Sequence, residues 1–368
     1  MPPEPQAGRP IRVLTVGMKP AVNEALAERD DLEVAALTQG ETEAKLQGRL
    51  RVLPYALRAK VSTAAARGVR EAAAAWRPDV VQTYGSRPLA HTTLAFTGRR
   101  DRPPIVSYRG VTSVPSRLRL EDWITYLSPL VDAHACESAA SRDGLMQGGV
   151  DPTKCFLAYN CLTRPPASGV GREALGEFDI PADATVVAMV ANFRRVKGGD
   201  VLLEAARRLA DLPNVYYLLL GEVRDRRLVS LANDPAIAPR VRLAGFRADA
   251  MDLATAADLF VMPSRAEALC VALLEAMSCG VCPIVSDAGG MKEAVRDGVD
   301  GLVVPKGSPE PLADAIRRLC QDPQERLAKG RSAADRFNAM FSREAVAERF
   351  ARGYRELLNG GLRARQAA

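Results

Sequence analysis

The sequence predicts an α/β protein of two domains, each a parallel sheet covered by helices. Three observations carry that expectation. At 368 residues the chain is long enough for two hydrophobic cores of ordinary size. Short apolar runs alternate with helix-period stretches from end to end, the pattern of strands joined by helical crossovers. Between Thr163 and Asp183 that rhythm is broken by Pro165, Pro166, Gly169, Gly171 and Pro181, a composition suited to a connection between domains.

Element by element, the first half offers strands at Ile11–Val16, Leu32–Leu37, Asp79–Gln82, Pro104–Tyr108, Ala133–Cys136 and Cys155–Ala158. Helical patterns fall at Leu57–Trp76, Leu89–Thr97 and Ala139–Gln147, the last with Ser138 placed to cap it and Gly148-Gly149 to stop it. The second half offers strands at Val186–Ala191, Val215–Leu220, Val241–Ala244, Leu259–Met262, Pro283–Val285 and Leu302–Val304. Its helices include Asp200–Asp211, Leu269–Ser278 and Pro309–Cys320. Two such halves fit Rossmann-like domains facing an interdomain cleft, with ligands outside the C-terminal strand ends. The expected boundaries are 1–168 and 169–342, with 343–368 forming a helix that crosses back to the first domain and then a tail. Ile11–Val16 is not followed by Gly-x-Gly-x-x-Gly, which argues against a dinucleotide-dependent dehydrogenase.

Composition narrows the class. Hydrophobic content of 47% and charged content of 26% are those of a soluble globular chain. No apolar run approaches the roughly 20 residues of a membrane helix. The proline-rich, polar Met1–Pro10 is not a signal peptide, so a cytoplasmic location is expected. A net charge of +6 suits anionic ligands or an anionic surface. Dispersed bases and only 5% aromatics argue against nucleic acid as a partner. Seven cysteines, an odd number, make no disulfide framework. Cys279-Gly-Val-Cys282 has metal or redox spacing, but without a second pair, and with only His91 and His134 in the chain, these read as buried structural thiols.

The most informative stretch runs from Ser264 to Met277. It sets two carboxylates, Glu267 and Glu275, on either side of a loop-to-helix junction that follows a buried strand. The first amides of a helix lack partners within it, so such a junction attracts anions. Acids flanking it are placed to accept hydrogen bonds from the hydroxyls of a sugar or ribose. Glu275 sits among Val271, Ala272, Leu273, Leu274, Ala276 and Met277, where a carboxylate needs partners. Upstream, Asn192-Phe193-Arg194-Arg195-Val196-Lys197-Gly198-Gly199 combines bases with glycines before a helix, the provision a diphosphate requires.

These motifs resemble those of GT-B retaining glycosyltransferases of the family 4 type. The acidic pair resembles the family's Glu-x7-Glu element, and Lys197 matches the lysine of its Arg-x4-Lys-Gly element. The arginine position of that element holds Asn192, and Arg194 is the substitute. The resemblance is close over residues 132–357 and loose over residues 11–131. It implies that Lys197 and Arg194 neutralise the donor diphosphate, that Glu275 holds the nucleotide ribose, and that Glu267 orients the donor sugar. The loop Ala268, Leu269, Cys270 and Val271 would face phosphate and sugar, although the family favours glycines there. Gly221, Phe246 and Arg247, in loops after strands, would border the nucleotide base. In the first half Gly17 stands in place of a glycine-rich donor loop. Arg109 stands where relatives often carry a histidine, and there it would assist the departing diphosphate.

The implied function is transfer of a sugar from a nucleotide diphosphate-sugar to a glycan or lipid-linked acceptor in cell-envelope glycan or polysaccharide biosynthesis. It would proceed with retention, without a cofactor and, in the absence of an Asp-x-Asp pair, without a metal. Two alternatives stand beside it: a non-catalytic nucleotide-sugar-binding subunit, and a sugar-nucleotide epimerase of the same fold. The segment Lys45–Arg70 carries seven basic residues and no acid, interleaved with apolar ones. Such a face suits an anionic membrane surface and a peripheral position on its inner side.

Overall fold

The computed structural model describes residues 9–38, 50–55, 61–163, 171–360 and 362. They fall into two compact units, Met1–Thr163 with Arg343–Ala368, and Arg164–Ser342. The division lies a few residues before the expected 168/169 boundary.

In the first unit the strands are β1 (Ile11–Val16), β2 (Leu32–Thr38), β3 (Arg51–Pro54), β4 (Val80–Tyr84), β5 (Ile105–Arg109), β6 (Val131–Cys136) and β7 (Cys155–Leu157). They form one parallel sheet in the order β3-β2-β1-β4-β5-β6-β7. Its helices are α1 (Pro20–Ala27), α2 (Thr63–Trp76), α3 (Ser86–Phe96), α4 (Leu120–Trp123), α5 (Ala139–Gln147) and, from the far end of the chain, α13 (Arg343–Leu358). Helix α2 begins at Thr63 rather than Leu57, because Ser62 caps it by accepting from the Ala65 amide at 3.2 Å.

Helix α13 packs on the first unit through an aromatic face. Phe350 stacks on Tyr108 with centroids 6.1 Å apart, and the buried Tyr354 hydroxyl donates to Gln82 Oε1 at 3.0 Å. Arg343 and Arg355 pair with Glu24 and Asp31 at its two ends.

The second unit contains β8 (Thr185–Val190), β9 (Val215–Leu220), β10 (Val241–Gly245), β11 (Leu259–Met262), β12 (Cys282–Ser286) and β13 (Leu302–Val304). They pair in parallel in the order β10-β9-β8-β11-β12-β13. Its helices are α6 (Gly199–Arg208), α7 (Arg226–Ala232), α8 (Ala250–Thr255), α9 (Val271–Ser278), α10 (Met291–Ala294), α11 (Pro309–Gln321) and α12 (Pro323–Phe341). Strands buried on both faces explain the unbroken apolar runs: Val186, Val187, Ala188 and Met189 are all fully buried.

The expected connection between Thr163 and Asp183 is shorter than its composition suggests. Arg172–Phe178 forms a 3-10 helix of the second unit, with Leu175 buried and Arg172 paired to Asp258 at 2.7 Å. Of the basic segment Lys45–Arg70, residues 45–49 and 56–60 lie outside the described residues. Among the described residues no helix is long and apolar enough to cross a membrane.

Candidate active site

In both sheets the strand order reverses, between β1 and β4 in the first unit and between β8 and β11 in the second. Loops leaving adjacent strands on opposite sides of such a point diverge and leave a crevice at the C-terminal ends. The loop after β8 carries Arg194 and Lys197, and the loop after β11 carries Glu267. Strand adjacency therefore brings together residues seventy positions apart: Lys197 Nζ donates to Glu267 Oε2 at 2.5 Å. Both side chains are mostly buried, at 21% and 15% exposure.

The two loops are locked together by a pair that the sequence did not mark. Arg265 makes a two-pronged contact with Asp200, 2.7 and 2.8 Å, and also donates to the Arg195 carbonyl at 2.6 Å. Its backbone amide donates to the Val196 carbonyl at 2.7 Å. The Asp200 side chain is 1% exposed. Burial pushes its carboxyl up, but hydrogen bonds from Arg265, the arginine's charge and the Val201 amide outweigh this and hold it below its ordinary range. A helix-start aspartate followed by an arginine after the next-but-two strand is a faint signal at best. Gly198 completes the lock: its φ of +75° and the carbonyl of Pro263, against which a Cβ would be driven, both require glycine.

Around this pair the remaining predicted residues are distributed unevenly. Ala268, Leu269 and Cys270 are buried, and Val271 is 41% exposed at the start of α9. The Cys270 thiol is pushed up to about 12 by burial and the nearby Glu267 charge, so it stays protonated. Glu275, on the second turn of α9, is half-buried. Burial, reinforced by Asp252, raises its carboxyl to about 7. Among the described residues no cationic side chain pairs with it to offset that rise. Arg194 is exposed, and its guanidinium has no hydrogen bond or ion pair among the described residues. Gly221 has φ +138°, and a Cβ there would strike the Ala191 carbonyl. Phe246 is 78% exposed, whereas the Arg247 side chain is committed to Glu177 at 3.0 Å and Asp249 at 2.8 Å.

Gly17 and Arg109 belong to the other unit. Gly17 adopts φ +80° beneath Pro88, whose Cγ would lie 2.7 Å from an added Cβ. Arg109 is buried, donates to the carbonyl and hydroxyl of Ser113, and lies 4.2 Å from the centroid of Tyr126. It lines a cavity of about 500 Å³ at the C-terminal ends of β1, β4, β5 and β6, together with Lys19, Tyr84, Tyr108 and Glu137. Lys19 Nζ reaches Glu137 Oε1 at 2.8 Å and the Tyr108 hydroxyl at 3.3 Å. Glu137 and Tyr108 had drawn no attention as site residues, and their position just after or at a strand end was the available signal. Both histidines are buried away from this cavity's lining, His91 against Tyr55 and His134 against Ser107.

Comparison with known proteins bears on these arrangements. Residues 172–336 match the family described as Glycosyl transferases group 1, and residues 22–163 match Glycosyltransferase Family 4. The chain belongs to the GT-B glycosyltransferases of the family 4 type. Among curated relatives, the lipopolysaccharide core biosynthesis glycosyltransferase LpsE of Rhizobium meliloti is 35% identical over 187 residues, 50% of this chain and 54% of the relative. D-inositol 3-phosphate glycosyltransferase 1 of Catenulispora acidiphila is 34% identical over 213 residues, 54% of this chain and 50% of the relative. The matches thus span about half the length of these relatives. HepE of Anabaena, crystallised in complex with UDP, shares the GT-B fold with a TM-score of 0.77 at 21% identity, covering 93% of this chain and 99% of HepE. Family membership accounts for two parallel, Rossmann-like sheets of seven and six strands in one chain.

Proposed function

We propose that this chain is a glycosyltransferase that moves a sugar from a nucleotide diphosphate-sugar to a glycan or lipid-linked acceptor of the cell envelope, with retention and without a metal or cofactor. The observation that carries the proposal is the Lys197–Glu267 pair at the strand-order reversal of the second unit. A cation and an acid in contact there form a site in which an incoming diphosphate takes over the ammonium, with Arg194 as the second cation. The carboxylate is then free to accept a hydroxyl of the donor sugar. Glu275 accepts from the ribose hydroxyls, the amides of Ala268–Val271 face phosphate and sugar, and the Gly221 and Phe246-Arg247 loops border the base. In the transfer the bond from the sugar's anomeric carbon to the diphosphate breaks. The acceptor oxygen bonds to that carbon, and its proton passes to the departing diphosphate. Cations and helix amides stabilise the charge that develops on the leaving group.

The polar cavity of the first unit, with Lys19, Tyr108, Arg109 and Glu137, supplies hydroxyl-recognising groups for the acceptor. Arg109 is held by Ser113 and Tyr126 and so acts as a fixed positive charge. One observation favours a second reading, a non-catalytic binding subunit: exposed Asn192 stands where the family carries its arginine. A panel of nucleotide sugars, UDP-sugars first because HepE was crystallised with UDP, decides between them when nucleotide diphosphate release is followed with and without glycan and lipid acceptors. Acceptor-dependent release that is lost in Lys197→Ala is expected. Tight nucleotide binding with no turnover on any acceptor would replace the enzyme by the binding subunit.

A further inference from the structure

At the opposite end of the first sheet, where β1, β4 and β5 begin, lies a second cavity of about 650 Å³ that the transfer reaction does not use. Six arginines line it, Arg9, Arg12, Arg70, Arg77, Arg99 and Arg102, against two acids, Asp79 and Asp101. Three of the arginines are already engaged. Arg9 chelates Asp79 at 2.7 and 2.8 Å, and Arg102 reaches Asp132 at 2.6 Å. Arg12 lies over the Trp76 ring, 4.2 Å from its centroid, and pairs with Glu33 at 3.1 Å. The other three, Arg70, Arg77 and Arg99, are exposed, and their guanidinium groups make no hydrogen bond or ion pair among the described residues.

Two further features point to a ligand rather than to a solvated basic face. The concavity has an apolar floor of Ala73, Phe96, Pro104 and Leu358, so its occupant has an apolar part as well as charge. Arg77 is the C-cap of α2 at φ 49° and ψ 61°, a left-handed position where glycine is the low-energy choice and a long side chain is disfavoured. An arginine held there at the mouth of a cavity, beside two other uncommitted guanidiniums, has the arrangement of a phosphate receptor.

We propose that this cavity binds an organic phosphate, its dianionic head on Arg70, Arg77 and Arg99 and its apolar body over Ala73, Phe96 and Pro104. The site is separate from the donor and acceptor sites, and its occupancy does not depend on the transfer chemistry. The engaged arginines set the field, and the three uncommitted ones make the direct contacts.

The test is titration of the full chain with 1-naphthyl phosphate and with inorganic phosphate at fixed ionic strength, compared with an Arg70→Ala/Arg99→Ala variant. Because both proteins keep the second unit unaltered, a difference between them reports on this cavity alone. The expected result is saturable binding of naphthyl phosphate, about tenfold tighter than inorganic phosphate through the apolar floor, and at least about tenfold weaker in the variant. Arg77→Gly supplies an independent reading: it is expected to weaken naphthyl phosphate binding several-fold while raising the melting temperature, since glycine relieves the left-handed backbone. Equal affinities in wild type and both variants would overturn the proposal. So would binding to phosphatidylcholine vesicles containing phosphatidylglycerol, lost in the double variant, with no saturable binding of naphthyl phosphate; that result would make the patch a membrane contact.

Discussion

Replacing Glu275 by glutamine separates a binding role from a structural one, because the two predict opposite changes in stability. The carboxyl is raised from 4.5 to about 7 by burial and by the neighbouring Asp252. A group whose pKa is higher in the folded chain contributes stability that is fully present below the unfolded value and is lost as pH rises through the folded one. Above about pH 7 the unliganded protein therefore carries a half-buried carboxylate at a cost. At about 1.4 kcal/mol per pH unit the full rise is worth at most about 3 kcal/mol, and partial solvent screening reduces this to about 1–2 kcal/mol.

Glutamine has the same shape without the charge. Glu275→Gln is therefore expected to stabilise the second unit by about 1–2 kcal/mol at pH 8, a rise of several degrees in its melting transition, and by close to nothing at pH 5. If the carboxylate accepts ribose hydroxyls, the same substitution weakens nucleotide affinity about tenfold, since hydrogen bonds to a charged acceptor are each worth about 1.5–3 kcal/mol. Thermal melts across pH, with calorimetric titration of UDP at pH 8, measure both. A variant that binds nucleotide as well as wild type, or that loses stability at pH 8, would refute the assignment. Wild-type nucleotide affinity is further expected to fall as pH drops below about 7, because the carboxyl then protonates and can no longer accept two hydroxyls.

Other perturbations act on the loops around it. Arg265→Ala leaves the buried Asp200 carboxylate unpaired, and about 2 kcal/mol of stability should be lost at pH 7, an isolated buried pair being worth more and a third-exposed arginine less. Because Asp200 is held below its ordinary 3.8, that stabilisation is present above 3.8 and is lost as pH falls through the lowered value, so the melting temperatures of wild type and variant should begin to converge only below 3.8. Gly198→Ala, which forces a Cβ against the Pro263 carbonyl at a positive φ, is expected to cost about 3 kcal/mol or more and to abolish nucleotide binding; a well-folded, binding-competent variant seen by circular dichroism and titration would contradict the description of this loop. Transfer activity, once a donor is found, should be unchanged by EDTA, and its loss with recovery on adding a divalent ion would overturn the metal-free proposal.

Local signals carried most of the inventory. Nearly every strand of the two sheets was marked by a short apolar run, because strands buried on both faces are filled mostly by apolar side chains, the few buried polar ones such as Gln82, Ser107 and His134 being hydrogen-bonded. β3 was overlooked: Arg51–Pro54 is a four-residue edge strand whose arginine is exposed, and such a strand has no distinctive period. Helix α12 carries a start signal in Asp322-Pro323, and Asp322 caps it through the Glu325 amide at 2.8 Å, but its mixed surface gives a weak apolar period.

By itself the sequence determined the parallel α/β architecture, the family, and the candidacy of Lys197, Glu267 and Glu275, since periodicity, turn residues and acid–base spacing are properties of neighbouring positions. Only the tertiary structure decided that β8 lies beside β11, which puts Lys197 against Glu267, that Arg265 and Asp200 lock the two loops, and that Lys19 meets Glu137 in the first unit. Adjacency of strands separated by whole crossover units is set by how the sheet reverses its order, and no local pattern encodes it.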